Sequence, residues 1–556
     1  MDNNVLELKT RCLSSLTKVF ADEELSESAF GRATALLNET FSFQVAYCSN
    51  LLVKPLFVSV KSELGDVVSV RSVGLAPSEL PCFHDYDEHV LRTTPGLYPD
   101  PLYPFDAAEG LIGIPGQWRS VWIQVEANDS LKPGVFPIEI TFTNAKDEIL
   151  GTERFELELL PALLPKQELI HTEWFHTDCL ATYYNVDVFS DAHWKLIDQY
   201  VETAVRHGMN MILTPLFTPP LDTAVGGERP TVQLVDVEVR NGDYVFGFDN
   251  LRKWIDLCSS KGILYFEFSH LYTQWGAKHA PKIVARVDGS LKRIFGWETD
   301  SIGEQYQSFL AKFLPELVVF IKDNGLEERS YFHISDEPRR VDLEQYRAAA
   351  EPVRQLLSEF KMIDALSNFE FYSQGVVTNP IPSNNHIEPF IENNVKPLWT
   401  YYCVSQRVKV SNRFFHMPSY RNRIIGYQMY KFEVEGFLHW GYNFWYSQYS
   451  KKKLDPFRNT DALCAFPSGD PFLVYPGEDG PLESIRMEVF YEALQDLRAL
   501  KLLESIIGRE QVLALVEEGL EQPITFSEYP HSMEWMLNKR EQINQAILLH
   551  ANASKV

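Results

Sequence analysis

Along the first 165 or so residues, apolar and polar positions alternate with a period of two. Val121, Ile123 and Val125 form an aliphatic face opposite a mixed one of Trp122, Gln124 and Glu126. Ile138, Ile140 and Phe142 alternate with Glu139, Thr141 and Thr143, and Phe155, Leu157 and Leu159 with Glu156 and Glu158. Such alternation marks antiparallel strands packed on one side. Pro- and Gly-rich stretches at 98–101 and 131–134 read as the connections between them. The pattern predicts a β-sandwich over residues 1–165, left through the proline-flanked segment 160–165.

From residue 166 the rhythm changes to short apolar strands alternating with amphipathic helices. Strands are predicted at 171–175, 209–213, 263–268, 330–334, 361–366, 376–378, 396–401 and 436–440. Between the first two, Ile197, Tyr200, Val201, Ala204 and Val205 fall at helical spacing, with Ser190 or Asp191 as cap and Gly208 as stop. Further helices are predicted at 249–261, at 306–321 with a break near Pro315, and at 343–360. Eight strands with helical connections predict a (β/α)₈ barrel over 166–480, with a doubly wound open sheet as the competing arrangement. After 481 the chain is helical to 556. Ile485, Val489, Ala493, Leu497 and Leu500 form an apolar stripe suited to packing on the barrel's flank.

Composition narrows the function. With 45% hydrophobic and 23% charged residues the chain is an ordinary folded protein. A formal charge of −25 repels phosphate backbones, so no nucleic-acid partner is expected. No apolar run is long enough for a membrane span. The first twenty residues carry Asp2, Glu7, Lys9 and Arg11 without an apolar stretch, so no secretory leader is expected either. Seven scattered cysteines without a C-x-x-C pair suit reduced thiols in a cytoplasm. Oligomeric state leaves no sign in the sequence. P-loop, dinucleotide and serine-esterase motifs are all lacking, and His171/His176 and Glu267/His270 find no third ligand. Neither a cofactor nor a metal is expected.

Chemistry in such a barrel gathers at the C-terminal ends of the strands. Those ends carry Trp174 and His176 after the first strand, His270 after the third, and Asp336-Glu337-Pro338 after the fourth. The seventh contributes Trp399, Tyr401 and Tyr402, and the eighth Trp440, Tyr442 and Asn443. Aromatic faces beside carboxylates and amides suit a pyranose, so the expected partner is a small glycan. Two neighbouring acids split their pKa values and leave one protonated near neutrality, as a glycosidase needs. The seventh strand end reads Trp-Thr-Tyr-Tyr-Cys, without the second carboxylate that a retaining glycosidase uses as nucleophile. That points to substrate assistance, in which a 2-acetamido oxygen attacks the anomeric carbon; if the strands are misaligned, Asp364 or Glu388 is the nucleophile instead.

The run His333-Ile334-Ser335-Asp336-Glu337-Pro338, with Trp174-Phe175-His176-Thr177-Asp178-Cys179, His439-Trp440-Gly441-Tyr442-Asn443-Phe444-Trp445 and Pro481-Leu482-Glu483-Ser484-Ile485-Arg486, resembles glycoside hydrolase family 123 and its close relatives. The resemblance covers roughly residues 170–505. It implies a β-N-acetylgalactosaminidase with an N-terminal sandwich and a retaining, substrate-assisted mechanism. By the same resemblance Asp336 orients the acetamido group and Glu337 is the general acid/base. Tyr401 or Tyr402 matches the tyrosine near the acetamido group. The alternatives are a β-glycosidase for another sugar and a non-catalytic glycan-binding barrel.

Overall fold

The computed structural model describes residues 5–553. The alternating N-terminal segments pair into two five-stranded sheets. One runs in the order Leu8–Ser14, Glu39–Ser49, Arg119–Ala127, Val68–Ser78 and Gly96–Pro104. The other runs Arg32–Leu37, Ile149–Leu163, Gly134–Asn144, Val53–Lys61 and Leu111–Gly113, with only the pairing of its first two strands parallel. Their facing sides bury Phe43, Val45, Ile123, Ile140, Phe142, Phe155 and Leu157 in one cluster, where Phe43 stacks on Phe155 at 4.1 Å. The mixed face of Arg119–Ala127 is covered as well: Trp122 on that side is fully buried in the cluster shared with the barrel.

Residues 98–101 are not a connection, as the sequence suggested, but lie within the strand Gly96–Pro104. That strand is the edge of its sheet, where a proline without an N–H removes no ladder bond. Its outer side is covered by the segment entering the C-terminal helices, Leu102 N–H donating to the Glu483 carbonyl at 2.9 Å.

The barrel strands are β1 (Ile170–Glu173), β2 (Met211–Thr214), β3 (Tyr265–Phe268), β4 (Ser330–Phe332), β5 (Lys361–Ala365), β6 (Asn379–Ile381), β7 (Trp399–Tyr401) and β8 (Gly436–His439). All pair in parallel in the order 6-5-4-3-2-1-8-7. The first strand bonds to both the second and the last, which excludes the doubly wound sheet. Closure between β6 and β7 passes through a single bridge, Ser383 to Tyr401. β6 begins three residues later than its apolar run predicted, because Val376 and Val377 pack into the core as part of the preceding turn.

Loops after β2 and β3 build a small sheet of Asp236–Arg240, Asp243–Gly247, Ile283–Val287 and Ser290–Phe295. It packs on the helix Glu304–Asp323, where Phe246 and Phe295 meet Phe309. That helix runs through Pro315 without the expected break. Pro315 and Ala311, whose carbonyl loses its partner, both face solvent, while Phe309, Phe313, Leu317 and Phe320 anchor the buried side.

The helix Ile485–Ile507, capped by Ser484 at the Met487 N–H, lies between sandwich and barrel and is buried nearly all round. Its polar residues pair both ways. Arg486 binds Asp100 of the sandwich in bidentate fashion, Glu488 meets Arg71 at 2.7 Å, and Asp496 meets the barrel's Arg423 at 2.7 Å. From the sandwich, Lys18 donates to the carbonyls of Phe414, Phe415 and Met417 in the barrel's upper loops. Among the described residues, no helix is long and apolar enough to cross a membrane.

Candidate active site

β4 ends at Phe332, and the next five residues turn across the barrel mouth. Asp364 of β5 organises that turn: its Oδ1 accepts from the N–H groups of Ile334 (3.1 Å) and Ser335 (3.3 Å). The Asp336 carbonyl then accepts from Trp275 N–H at 2.8 Å, and Glu337 N–H donates to Ala365 at 3.1 Å. Glu337 sits at φ +42°, a left-handed conformation that a non-glycine residue holds only when its surroundings fix it. Both side chains therefore turn into one cavity of about 210 Å³ on the barrel axis. That is below the ~300–1,000 Å³ that house drug-sized ligands. It suits one sugar ring.

Beneath the pair lies a buried charge cluster. His333 is bracketed by Glu267 and by Asp364, the latter at 3.2 Å from Nδ1. Burial alone would lower the pKa of His333, but the hydrogen bonds its ring N–H groups donate to Asp364 and Glu267 outweigh it and lift it to about 9. Glu267 also accepts from Thr172 Oγ1 (2.6 Å) and Trp174 Nε1 (2.7 Å), fixing the indole in the cavity floor.

The two acids are only half-buried by surface area because they face the cavity, yet protein surrounds them. Burial raises both. Asp336 rises far above the carboxylate range, pushed further by the charge of Glu337. Glu337 rises less, because the Tyr401 hydroxyl donates to its Oε1 at 2.6 Å, though Asp470 adds repulsion. One proton shared between neighbours is what acid catalysis near neutrality requires.

Of the aromatic residues expected around the acids, Trp174, Tyr401 and Trp440 line the cavity. Trp440 is held by its Nε1 bond to Asp470 at 3.0 Å. The remaining expected residues are held elsewhere. Tyr402 points to the opposite side of its chain from Tyr401, as neighbours in a strand do, and packs on Arg413. Trp399 lies at the other end of the barrel against Gly436, where an added Cβ would meet its ring at 2.1 Å. Tyr442 is buried and donates to the Tyr200 carbonyl at 2.9 Å. Asn443 exchanges hydrogen bonds with the backbone of His176, stapling the β1 and β8 loops. His176 itself accepts from Arg229 at Nδ1 (3.1 Å) and so donates from Nε2 to the Trp440 carbonyl at 2.8 Å. His270 stacks on His333 at 4.2 Å beneath the floor, and burial with that neighbouring charge holds it neutral. Asp364 is enclosed by His333, Tyr346 and backbone, and Glu388 sits exposed on a helix, so neither reaches the cavity.

The far wall is formed by residues that strand ends did not reveal: Asp222, Gln274, Trp275, Gln448, Tyr449 and Phe466. They come from long loops after β2, β3 and β8, where no periodicity signals which side chain turns inward. Trp275 and Tyr449 meet edge to face at 5.9 Å.

The sequence profile of the glycoside hydrolase 123 catalytic domain matches residues 174–503. A family 123 glycoside hydrolase from Clostridium perfringens superposes with a TM-score of 0.75 at 16% identity, covering 98% of this chain and 99% of that one. A family 5 mannosidase from Rhizomucor miehei reaches a TM-score of only 0.32 at 10% identity, over 62% of this chain and 95% of that one. No curated protein matches the chain. With Asp336 and Glu337 at the cavity inside the matched span, the chain belongs to glycoside hydrolase family 123 and is a glycoside hydrolase.

Proposed function

We propose that this glycoside hydrolase is a retaining exo-enzyme that releases β-linked N-acetylgalactosamine with the help of the substrate's own acetamido group. The observation that carries this reading is the pair Asp336 and Glu337 in a one-ring cavity whose β7 side offers Tyr401 instead of a carboxylate. Glu337 protonates the departing oxygen while the acetamido oxygen attacks C1. Asp336 accepts the acetamido N–H and offsets the charge of the oxazolinium. Arrival of that N–H and positive charge favours ionised Asp336, so the shared proton rests on Glu337. Glu337 then deprotonates the water that opens the ring, and the product keeps its β configuration. Trp174 and Trp440 offer flat faces to the sugar.

The choice of the galacto sugar rests on the family resemblance. The Clostridium perfringens relative is described as acting on glycolipid glycans. We place the enzyme in the cytoplasm on the strength of its seven unpaired thiols. A second reading comes from Asp222, a further carboxylate on the cavity wall that could serve as a protein nucleophile.

Aryl β-glycosides of N-acetylgalactosamine, N-acetylglucosamine and galactose separate these readings. Cleavage of the acetamido sugars with retention, near inertness of the galactoside, strong inhibition by a thiazoline and a crippled Asp336→Asn are expected. Efficient galactoside cleavage through a trapped glycosyl adduct would sink substrate assistance.

A further inference from the structure

Asp222 is a carboxylate that the acid pair leaves unused. It lies in the loop after β2 at φ +37°, and nearly all of it is fixed. Its N–H donates to Gln274 Oε1 at 2.7 Å, and its carbonyl accepts from Ser450 Oγ at 2.7 Å. Oδ2 accepts from the Tyr449 N–H at 2.9 Å. Oδ1 has no hydrogen-bond partner among the described residues, in a side chain that lines the cavity. A left-handed, non-glycine residue clamped at both backbone groups is a pre-set side chain.

Hydrogen bonds give its place along the cavity. Glu337 is tied to Tyr401 of β7 and to the Ala365 carbonyl of β5, the Asp336 carbonyl to the Trp275 N–H in the loop after β3, and the adjoining Gln274 to Asp222. The carboxyls therefore follow the order Glu337, Asp336, Asp222. With O1 at Glu337 and the 2-acetamido group at Asp336, the next ring substituents in that direction are the hydroxyls at C3 and C4. We propose that Asp222 Oδ1 accepts the hydroxyl hydrogens at C3 and C4, confining the site to a terminal sugar unsubstituted there; the orientation rests on the substrate-assisted reading above. An ionised carboxylate only accepts, and vicinal hydroxyls supply two donors at a charge-assisted bond. A substituent on either oxygen would remove a donor and leave a charge unpaired.

The test uses matched aryl glycosides with and without the 3- or 4-hydroxyl, on the wild type and on Asp222→Asn. Asparagine keeps the size and an oxygen for the Tyr449 N–H but not the charge. Asp222→Asn should lower kcat/KM on the parent sugar by roughly 10–100-fold, the loss of a hydrogen bond to a charged group. The deoxy sugars should show a similar loss on the wild type, where no variant can misfold, and little more on Asp222→Asn. Equal losses on parent and deoxy sugars would overturn the proposal, as would an unchanged kcat/KM or a glycosyl adduct on Asp222. Running the 2-hydroxy sugars in parallel separates the two readings. Preference for them defeats the acetamido mechanism, while the parent-to-deoxy comparison still decides Asp222. If turnover is too low, calorimetric binding of the monosaccharide and its 4-deoxy form to Glu337→Gln makes the same comparison.

Discussion

Tyr401→Phe removes one hydroxyl and tests how the acid is tuned. That hydroxyl donates to Glu337 Oε1 at 2.6 Å, and it is the one neighbour holding the Glu337 carboxyl down against burial and Asp470. A hydrogen bond to a charged group contributes about 1.5–3 kcal/mol. At 1.36 kcal/mol per unit this is roughly one to two pKa units. The bond favours ionised Glu337, so its loss raises the pKa, and the protonated, acid-competent form persists to higher pH. Measured as kcat/KM against pH on a substrate with a poor leaving group, the basic limb should move up by about one to two units. The limb belongs to the coupled pair, so its displacement is the readout rather than its absolute position. An unmoved limb, with kcat/KM reduced equally at every pH and only for 2-acetamido sugars, would refute the reasoning. Tyr401 would then act on the acetamido oxygen and not on the acid.

Glu337→Gln should cost on the order of 10²–10⁴-fold with poor leaving groups and less with activated aryl groups, read from a leaving-group series. An equal loss throughout would remove Glu337 from the acid role. Trp440→Ala should raise KM with little change in thermal stability, since its indole is half-buried at the cavity; a collapse of the melting temperature would make it a core residue. Glu488→Gln tests the seam: burial pushes this carboxyl up, but Arg71 and His207 outweigh it and hold it at about 2. Stability from a lowered carboxylate is present above its unfolded value of 4.5 and is lost as pH falls through about 2. The variant should therefore be less stable by about 3 kcal/mol at pH 7, converging with the wild type in acid, by denaturant titration.

Periodicity made the sandwich, the barrel strands and the acid pair legible, because burial on one or both faces writes itself into residue order. Strand ends located Trp174, Asp336, Glu337, Tyr401 and Trp440 for the same reason. The pattern could not separate cavity-facing polar residues from those that hold loops together. His176 and Asn443 look like sugar ligands in sequence, yet the Asn443 amide is engaged by the His176 backbone and the His176 ring by Arg229 and the Trp440 carbonyl. Tyr401 and Tyr402 differ only in strand parity, which the exact strand register decides. Asp222 and Tyr449 lie eight and ten residues beyond the ends of β2 and β8, in loops whose path depends on tertiary clamps such as Gln274.

The buried helix Ile485–Ile507 also governs the order of events during synthesis. At ~5–20 residues per second, roughly 15–65 s separate the emergence of the sandwich from that of this helix. Throughout that interval Asp100 waits for Arg486 and Arg71 for Glu488, and the barrel's Arg423, once made, waits for Asp496. The nascent chain thus carries two half-made surfaces, each with unpaired charge and bare aromatic side chains such as Trp122. The last tenth or so of translation completes a seam that Lys18 begins at the carbonyls of Phe414, Phe415 and Met417. Ribosome-bound chains ended before residue 485 should bind trigger-type chaperones and be cut readily by protease, while chains extended past 507 should become resistant in a single step.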